Sequence, residues 1–149
     1  VLDLTDEQRA LADSVRRFLT DAGLPRRGYG EALVAHDDLW GGLQQIGVIG
    51  ALAPDTAGGL GLGMADLGGV LVELGRGCYP GPFISSAVAA VTLLGSLGES
   101  DLLSSVASGE RIATVVDRRD GSLIADATAA DVFLVASGHT VSLVEGAAV

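Results

Sequence analysis

Apolar residues fall on one side of the chain almost from its start. Leu11, Val15, Phe18 and Leu19 form a stripe at helical spacing, with polar and charged residues between them. Thr5 followed by Gln8 reads as a capping box, and Asp6 and Glu7 suit the positive end of the helix dipole in the first turn. The pattern predicts a helix opening after Thr5, which Gly23 and Pro25 stop. "PRRGYG" (25–30) reads as a loop that holds two arginines. A second helix is predicted from Asp38 to about Ile46, with Leu39, Leu43 and Ile46 on one face and Gly47 ending it. "VIGALAP" (48–54) is an apolar connector too short for a period to classify.

A glycine-dense stretch, "PDTAGGLGLGMADLGG" (54–69), then runs into a third stripe of Met64, Leu67, Val70, Leu71 and Leu74. "GRGCYPGP" (75–82) breaks that pattern. Phe83 to Leu94 predicts a helix apolar on nearly every side, and hence buried. Asp101 to Ala107 predicts a short amphipathic helix, ended by "SGE". The texture changes after that. "RIATVV" (111–116) is a strand-type run, and "DVFLVASGHTVSLVE" (131–145) alternates around a Ser-Gly-His turn, which signals a hairpin. The expected fold is mainly α: a five-helix-type bundle over residues 1–109, followed by an incomplete antiparallel β-domain over 110–149.

Composition narrows the partners. The chain of 149 residues is 48% hydrophobic but 4% aromatic, so its core must be built from Leu, Val, Ile and Ala. A formal net charge of -10 argues against nucleic acid or an anionic membrane surface, though not against a small anionic ligand held by a local patch. Cys78 stands alone, which excludes a disulfide framework and a cysteine-based metal site; it is expected to be a small buried hydrophobe. No apolar run approaches the ~18 residues of a membrane span, and "VLDLTDEQR" lacks the features of a signal peptide, so a cytoplasmic location is expected.

Candidate chemistry is sparse. A glycine-rich turn feeding a helix has the shape of a phosphate cradle, and Gly61 and Gly63 supply G-x-G. The third glycine position is Asp66, whose carboxylate would repel a phosphate, and no strand pattern precedes the turn. A lysine followed by Ser or Thr, as a P-loop needs, is also missing, so a packing loop is the better reading. Glu73 and Arg76 are spaced as a surface ion pair. His36 and His139 have no neighbouring ligand set, so no metal site is expected, and no nucleophile elbow is present. The residues by themselves nominate no catalytic group.

Several segments taken in order resemble the amino-terminal part of the acyl-CoA dehydrogenase family. "DLTDEQRALADSVRRFL" is similar to that family's opening helix. "LQQIGVIGALAPDTAGGLGLGMADLGGVLVELGR" resembles its characteristic stretch, with Pro54, Gly58, Gly59, Gly61 and Glu73 to Arg76 in register. "LLGSLGESDLLSSVASGERIATVV" is similar to the next helix and the start of the β-domain, and "ATAADVFLVAS" to a later β-domain strand.

The resemblance implies a flavoenzyme in which a carboxylate base removes the α-proton of an acyl-CoA while the β-hydride passes to FAD. It places the base in a second helical domain that these residues do not include. The family's Thr-Glu-Pro-x-Ala-Gly-Ser-Asp type of segment is replaced by "DRRDGS" (117–122). No catalytic or flavin-binding residue is therefore carried over. The resemblance does place Ser85, Ser86, Ala89 and Leu93, on one face of the helix after "ELGR", in the wall of the acyl pocket. The same small residues also suit a close helix–helix contact. "PGPF" and the Ala-rich helix resemble members acting on bulky or steroid-derived acyl-CoAs, some as heteromeric pairs. Three readings stand: a flavoprotein dehydrogenase lacking its base in this chain, a non-catalytic subunit completing a partner dehydrogenase in a homo- or hetero-oligomer, and a stand-alone helical interaction module. The electron acceptor is not specified by any of them.

Overall fold

The computed structural model describes residues 4–24, 36–117 and 123–146, so the "PRRGYG" reading lies outside the described residues. The backbone divides into two compact units, one of residues 1–48 with 62–81 and one of 49–61 with 82–149.

The first unit holds α1 (Asp6–Asp21), α2 (His36–Ile46) and α3 (Gly68–Arg76). The capping box is present: Thr5 N donates to Gln8 Oε1 at 2.9 Å, and Gln8 N donates to Thr5 Oγ1 at 3.2 Å. The α1 stripe buries Val15 and Leu19, with Phe18 only half-buried. Each fully buried aliphatic side chain contributes ~1.5–3 kcal/mol relative to exposure. Glycines let the helices approach. The Phe18 ring occupies the place a Cβ on Gly42 would need, and a Cβ on Gly69 would lie 3.1 Å from both Ala12 Cβ and Leu4 Cδ1.

Helix α3 starts at Gly68, later than the stripe from Met64 suggests, and Met64 is exposed. Its far end explains Cys78, which is exposed and not the buried hydrophobe its type suggests. Cys78 N donates to Gly75 O and Tyr79 N to Leu74 O, the two bonds of a Schellman motif. That motif puts Cys78 in the left-handed region at φ 50, a position glycine usually takes, and turns the thiol outward.

The second unit contains a 3₁₀ turn (Asp55–Ala57), a π-helical segment (Phe83–Ala90), α4 (Val91–Leu97) and α5 (Ser100–Ala107). Three strands follow: β1 (Ala113–Asp117), β2 (Val132–Ser137) and β3 (Thr140–Glu145). The described residues thus hold five α-helices and one small sheet, a mainly α fold. In the single run expected from Phe83 to Leu94, the first part is π-helical.

Strands β2 and β3 form the expected antiparallel hairpin, with Val132 opposite Glu145 and Ser137 opposite Thr140. Strand β1 pairs with β2 in parallel, Ala113 beside Val132, so the sheet is mixed and not antiparallel throughout. The stretch between Asp117 and Val132 is long enough to return the chain to the same end of the sheet, as parallel pairing requires. One cluster forms this unit's core: Ala90, Val91 and Leu94 with Leu103 and Val106, closed by Ala113, Val132 and Leu134 of the strands. No helix among the described residues is long and apolar enough to cross a membrane.

Candidate functional site

Pro80, Gly81 and Pro82 end the preceding helical pattern, and the chain re-enters helix at Phe83 with eight uncharged residues in π-helical form. Such segments are rare and gather at functional sites. Phe83 is fully buried, whereas Ile84 is 61% exposed. The four residues of the expected pocket wall all lie here or just beyond. Ser85 and Ser86 are buried, and Ala89 and Leu93 are half-buried, Leu93 packing against the core cluster.

The two hydroxyls face different partners. Ser86 Oγ accepts the backbone N–H of Ala113 in β1 at 3.2 Å, both groups buried. Ser85 Oγ lies 3.2 Å from Pro82 O and donates to Asp126 Oδ2. Next to that contact, the fully buried Thr114 donates its hydroxyl to Ala125 O at 2.9 Å. Asp126 has φ 53, and its carbonyl accepts from Ala129 N at 3.0 Å, opening a turn. The structure therefore gathers Ser85, Ser86, Thr114 and Asp126 where the π-helical segment, β1 and residues 123–131 meet. Ala89 and Leu93 continue along the helical run without joining that polar group.

Sequence reasoning missed Asp126 and Thr114. A polar residue inside the apolar run "IATVV" was a readable signal for Thr114. Asp126 gave none, since a left-handed residue that is not glycine is unremarkable in sequence.

The glycine-rich stretch spends its amides internally. Gly58 N donates to Asp55 O, Gly59 N to Pro54 O, Leu60 N to Gly50 O and Gly61 N to Ala53 O, at 2.8–3.2 Å. Gly58 needs its positive φ of 79 to close the 3₁₀ turn, and a Cβ on Gly59 would sit 2.1 Å from Ala53 O. In the first unit, Gly63 N donates to Asp66 Oδ2 at 2.8 Å and Gln8 Nε2 donates to Asp66 Oδ1 at 2.6 Å. The Gly63 amide, and then Gln8, hold the Asp66 carboxyl below the usual carboxylate range. Asp66 thus fills with its own anion the place a phosphate would need. The segment is a packing loop.

The first unit also carries a surface groove of about 610 Å³ whose lining includes Arg9, Arg16 and Arg76. Each guanidinium pairs with a carboxylate three residues earlier, Asp6, Asp13 and Glu73, at 2.6–2.8 Å. With every one of these arginines already paired, the groove offers no unpaired guanidinium to draw an anion. The Glu73–Arg76 pair has the expected spacing, but Glu73 is buried while the Arg76 side chain is 68% exposed, so only one end of the pair is at the surface.

The family model described as acyl-CoA dehydrogenase, N-terminal domain, matches residues 5–110. Acyl-CoA dehydrogenase IpdE2 of Mycolicibacterium smegmatis is 29% identical over 143 residues, covering 93% of this chain and 45% of the relative. A chain of the ChsE4-ChsE5 complex from Mycobacterium tuberculosis superposes with a TM-score of 0.80 at 24% identity, covering 97% of this chain and 48% of that one. The Tcur3481-Tcur3483 steroid ACAD G363A variant gives 0.77 at 26% identity, covering 94% and 48%. The chain spans about half the length of these relatives.

Proposed function

This chain belongs to the acyl-CoA dehydrogenase family, and we propose that it supplies the helical side of an acyl-CoA site in an α,β-dehydrogenating flavoenzyme. In this reading residues 1–109 are the amino-terminal helical domain and 110–149 part of the β-domain. Ser85, Ser86, Ala89 and Leu93 belong to the wall beside the acyl group. The observation that carries the reading is the family match over residues 5–110, which contains all four wall residues.

FAD is the family's hydride acceptor, but the described residues do not fit it alone. Among the described residues, the amides of Gly58, Gly59, Gly61 and Gly63 in the glycine-rich stretch, the sequence's candidate for a phosphate cradle, are occupied by carbonyls and by Asp66. Neither the base nor a flavin cradle is therefore assigned to these residues, and no catalytic residue is named among them. What the wall residues do is exclude water and hold the acyl group in a fixed pose for chemistry performed elsewhere in the assembly. Bulky acyl groups suit a wall that turns small residues, Ser85 and Ala89, toward them, while the fully buried Ser86 ties that wall to β1 through Ala113 N. A cytoplasmic, oligomeric enzyme is part of the same reading.

A second reading, a non-catalytic subunit completing a partner's site, is favoured by the two solved relatives, which are paired ChsE4-ChsE5 and Tcur3481-Tcur3483 proteins. Visible spectra separate the two. A flavin band in protein expressed alone supports the first. Colour that needs co-expression with a second dehydrogenase subunit supports the other. Absence of flavin in both preparations, together with no acyl-CoA binding, would sink both.

A further inference from the structure

We propose that Ser85 and Asp126 form a hydrogen-bonding subsite that recognises a hydroxyl group on the substrate's acyl portion. The inference rests on the acyl-pocket reading of Ser85 and deepens it by naming a substrate class. Three observations lead to it. Ser85 is buried, and its hydroxyl donates to the Asp126 carboxylate, so the wall at this point is polar and not hydrocarbon. Asp126 is half-buried and sits at φ 53, a backbone state that glycine adopts more readily. A carboxylate there is not needed to make the turn. The segment is also anchored independently, through Thr114 Oγ1 to Ala125 O, so the Ser85–Asp126 bond is not required merely to hold it.

The chemistry then discriminates between acyl groups. An ionised carboxylate uses two oxygens as acceptors, and Ser85 takes Oδ2. A plain alkyl end pressed against Asp126 would strip water from the remaining acceptor sites with nothing in return, which is costly for a charged group. An acyl group bearing a hydroxyl would donate to the carboxylate and restore that bond. Hydrogen bonds to charged groups contribute ~1.5–3 kcal/mol. The expected preference is therefore roughly tenfold or more at 1.4 kcal/mol per decade.

The test uses the complete enzyme, with its partner subunit where it requires one, and titration calorimetry in place of turnover. The probes are hexanoyl-, octanoyl- and decanoyl-CoA, each as the plain thioester and with a terminal hydroxyl. The expected result is that at one chain length the hydroxylated thioester binds about tenfold tighter than its plain counterpart. Asp126→Asn, which keeps the tolerance for positive φ and replaces the charged acceptor by a neutral one, should bring that ratio to about threefold or less. Equal binding of the two forms at every length overturns the proposal, as does a tenfold ratio that survives Asp126→Asn. Should Asp126→Asn fail to fold, Asp126→Gly, which suits the positive φ and removes the acceptor altogether, decides by the same ratio. If plain thioesters bind but show no hydroxyl preference, the subsite alone falls. If none of the six probes binds, the subsite falls, and if the protein also carries no flavin the acyl-CoA reading falls with it.

Discussion

The two compact units bury their apolar surfaces by different means. In the first, helices meet over glycine: Phe18 lies on Gly42, Ala12 and Leu4 close on Gly69, and Leu19 reaches Gly77. Its side-chain bonds include three i,i+3 ion pairs, two of them partly or fully exposed at both ends, and the Asp66 contacts near the surface. In the second, hydroxyls go inside. Ser86 and Thr114 are fully buried and bind strand and loop backbone between apolar neighbours. Exposed ion pairs contribute little, typically under ~1 kcal/mol, whereas a buried polar bond specifies one geometry and is costly to break. The second unit should therefore be the one intolerant of small changes, and it holds the candidate site.

The largest expected effect tests that intolerance at the glycine-rich loop. In Gly59→Ala the new Cβ would lie 2.1 Å from Ala53 O and 2.5 Å from Gly50 O, both backbone atoms that cannot swing aside. The cost should exceed the ~1–3 kcal/mol of ordinary overpacking. Urea unfolding of the variant should show a large loss of stability, or no cooperative transition at all. A loss below ~1 kcal/mol would mean the loop is looser than its bonds indicate.

Next in size is Ser86→Ala. It removes the acceptor for Ala113 N in a fully buried place and leaves that amide unsatisfied, which costs ~1–3 kcal/mol. Ser86→Thr keeps the hydroxyl but adds a methyl to a packed site, so it is a poorer control than Ser86→Cys, whose weak acceptor should recover part of the loss. An alanine variant as stable as the parent would show that the buried bond contributes nothing net, and would erase the contrast between the units.

These positions also show how far the sequence could be read. The α1 capping box, the apolar stripes of α1 and α2 and the Ser-Gly-His hairpin follow from local patterns, and the structure contains each of them. The boundaries of α3 were not readable, because the Asp66–Gly63 turn competes with the apolar stripe for the first residues. Nor was the parallel pairing of β1, which depends on where a long connection returns. The π-helical form of Phe83–Ala90 has no period of its own in eight apolar and small residues. At the candidate site Ser85 and Ser86 could be singled out, but only as small residues on a helix. Their partners lie at Ala113 and Asp126, a separation in sequence that no local pattern encodes.

A smaller effect is expected where the first unit also depends on a glycine. Gly69→Ala gains up to ~1 kcal/mol of helix propensity within α3. Against that, its Cβ would meet Ala12 Cβ and Leu4 Cδ1 at 3.1 Å, and only the Leu4 end can move aside freely. The two terms are of similar size, so urea unfolding should find the variant within ~1 kcal/mol of the parent. A loss above ~2 kcal/mol would make this helix contact as rigid as the buried site of the second unit.

The smallest effect concerns charge in the first unit and depends on pH. The Gly63 amide and Gln8 favour the ionised form of Asp66, so its folded pKa lies below the unfolded value of about 3.9. A depressed carboxyl stabilises the fold at pH above the unfolded value, and that contribution disappears as pH falls through the folded one. Asp66→Asn keeps an acceptor for Gly63 but loses the charge and turns an amide donor toward Gln8 Nε2. Its melting temperature should therefore lie below the parent's near neutrality, and the gap should narrow as the solution is taken through the acidic range. Salt should narrow the gap as well, because the contact lies at the rim where counter-ions reach it. A gap that stays constant with pH would assign the difference to the shape of the turn and leave the carboxylate's charge without a part in holding the loop.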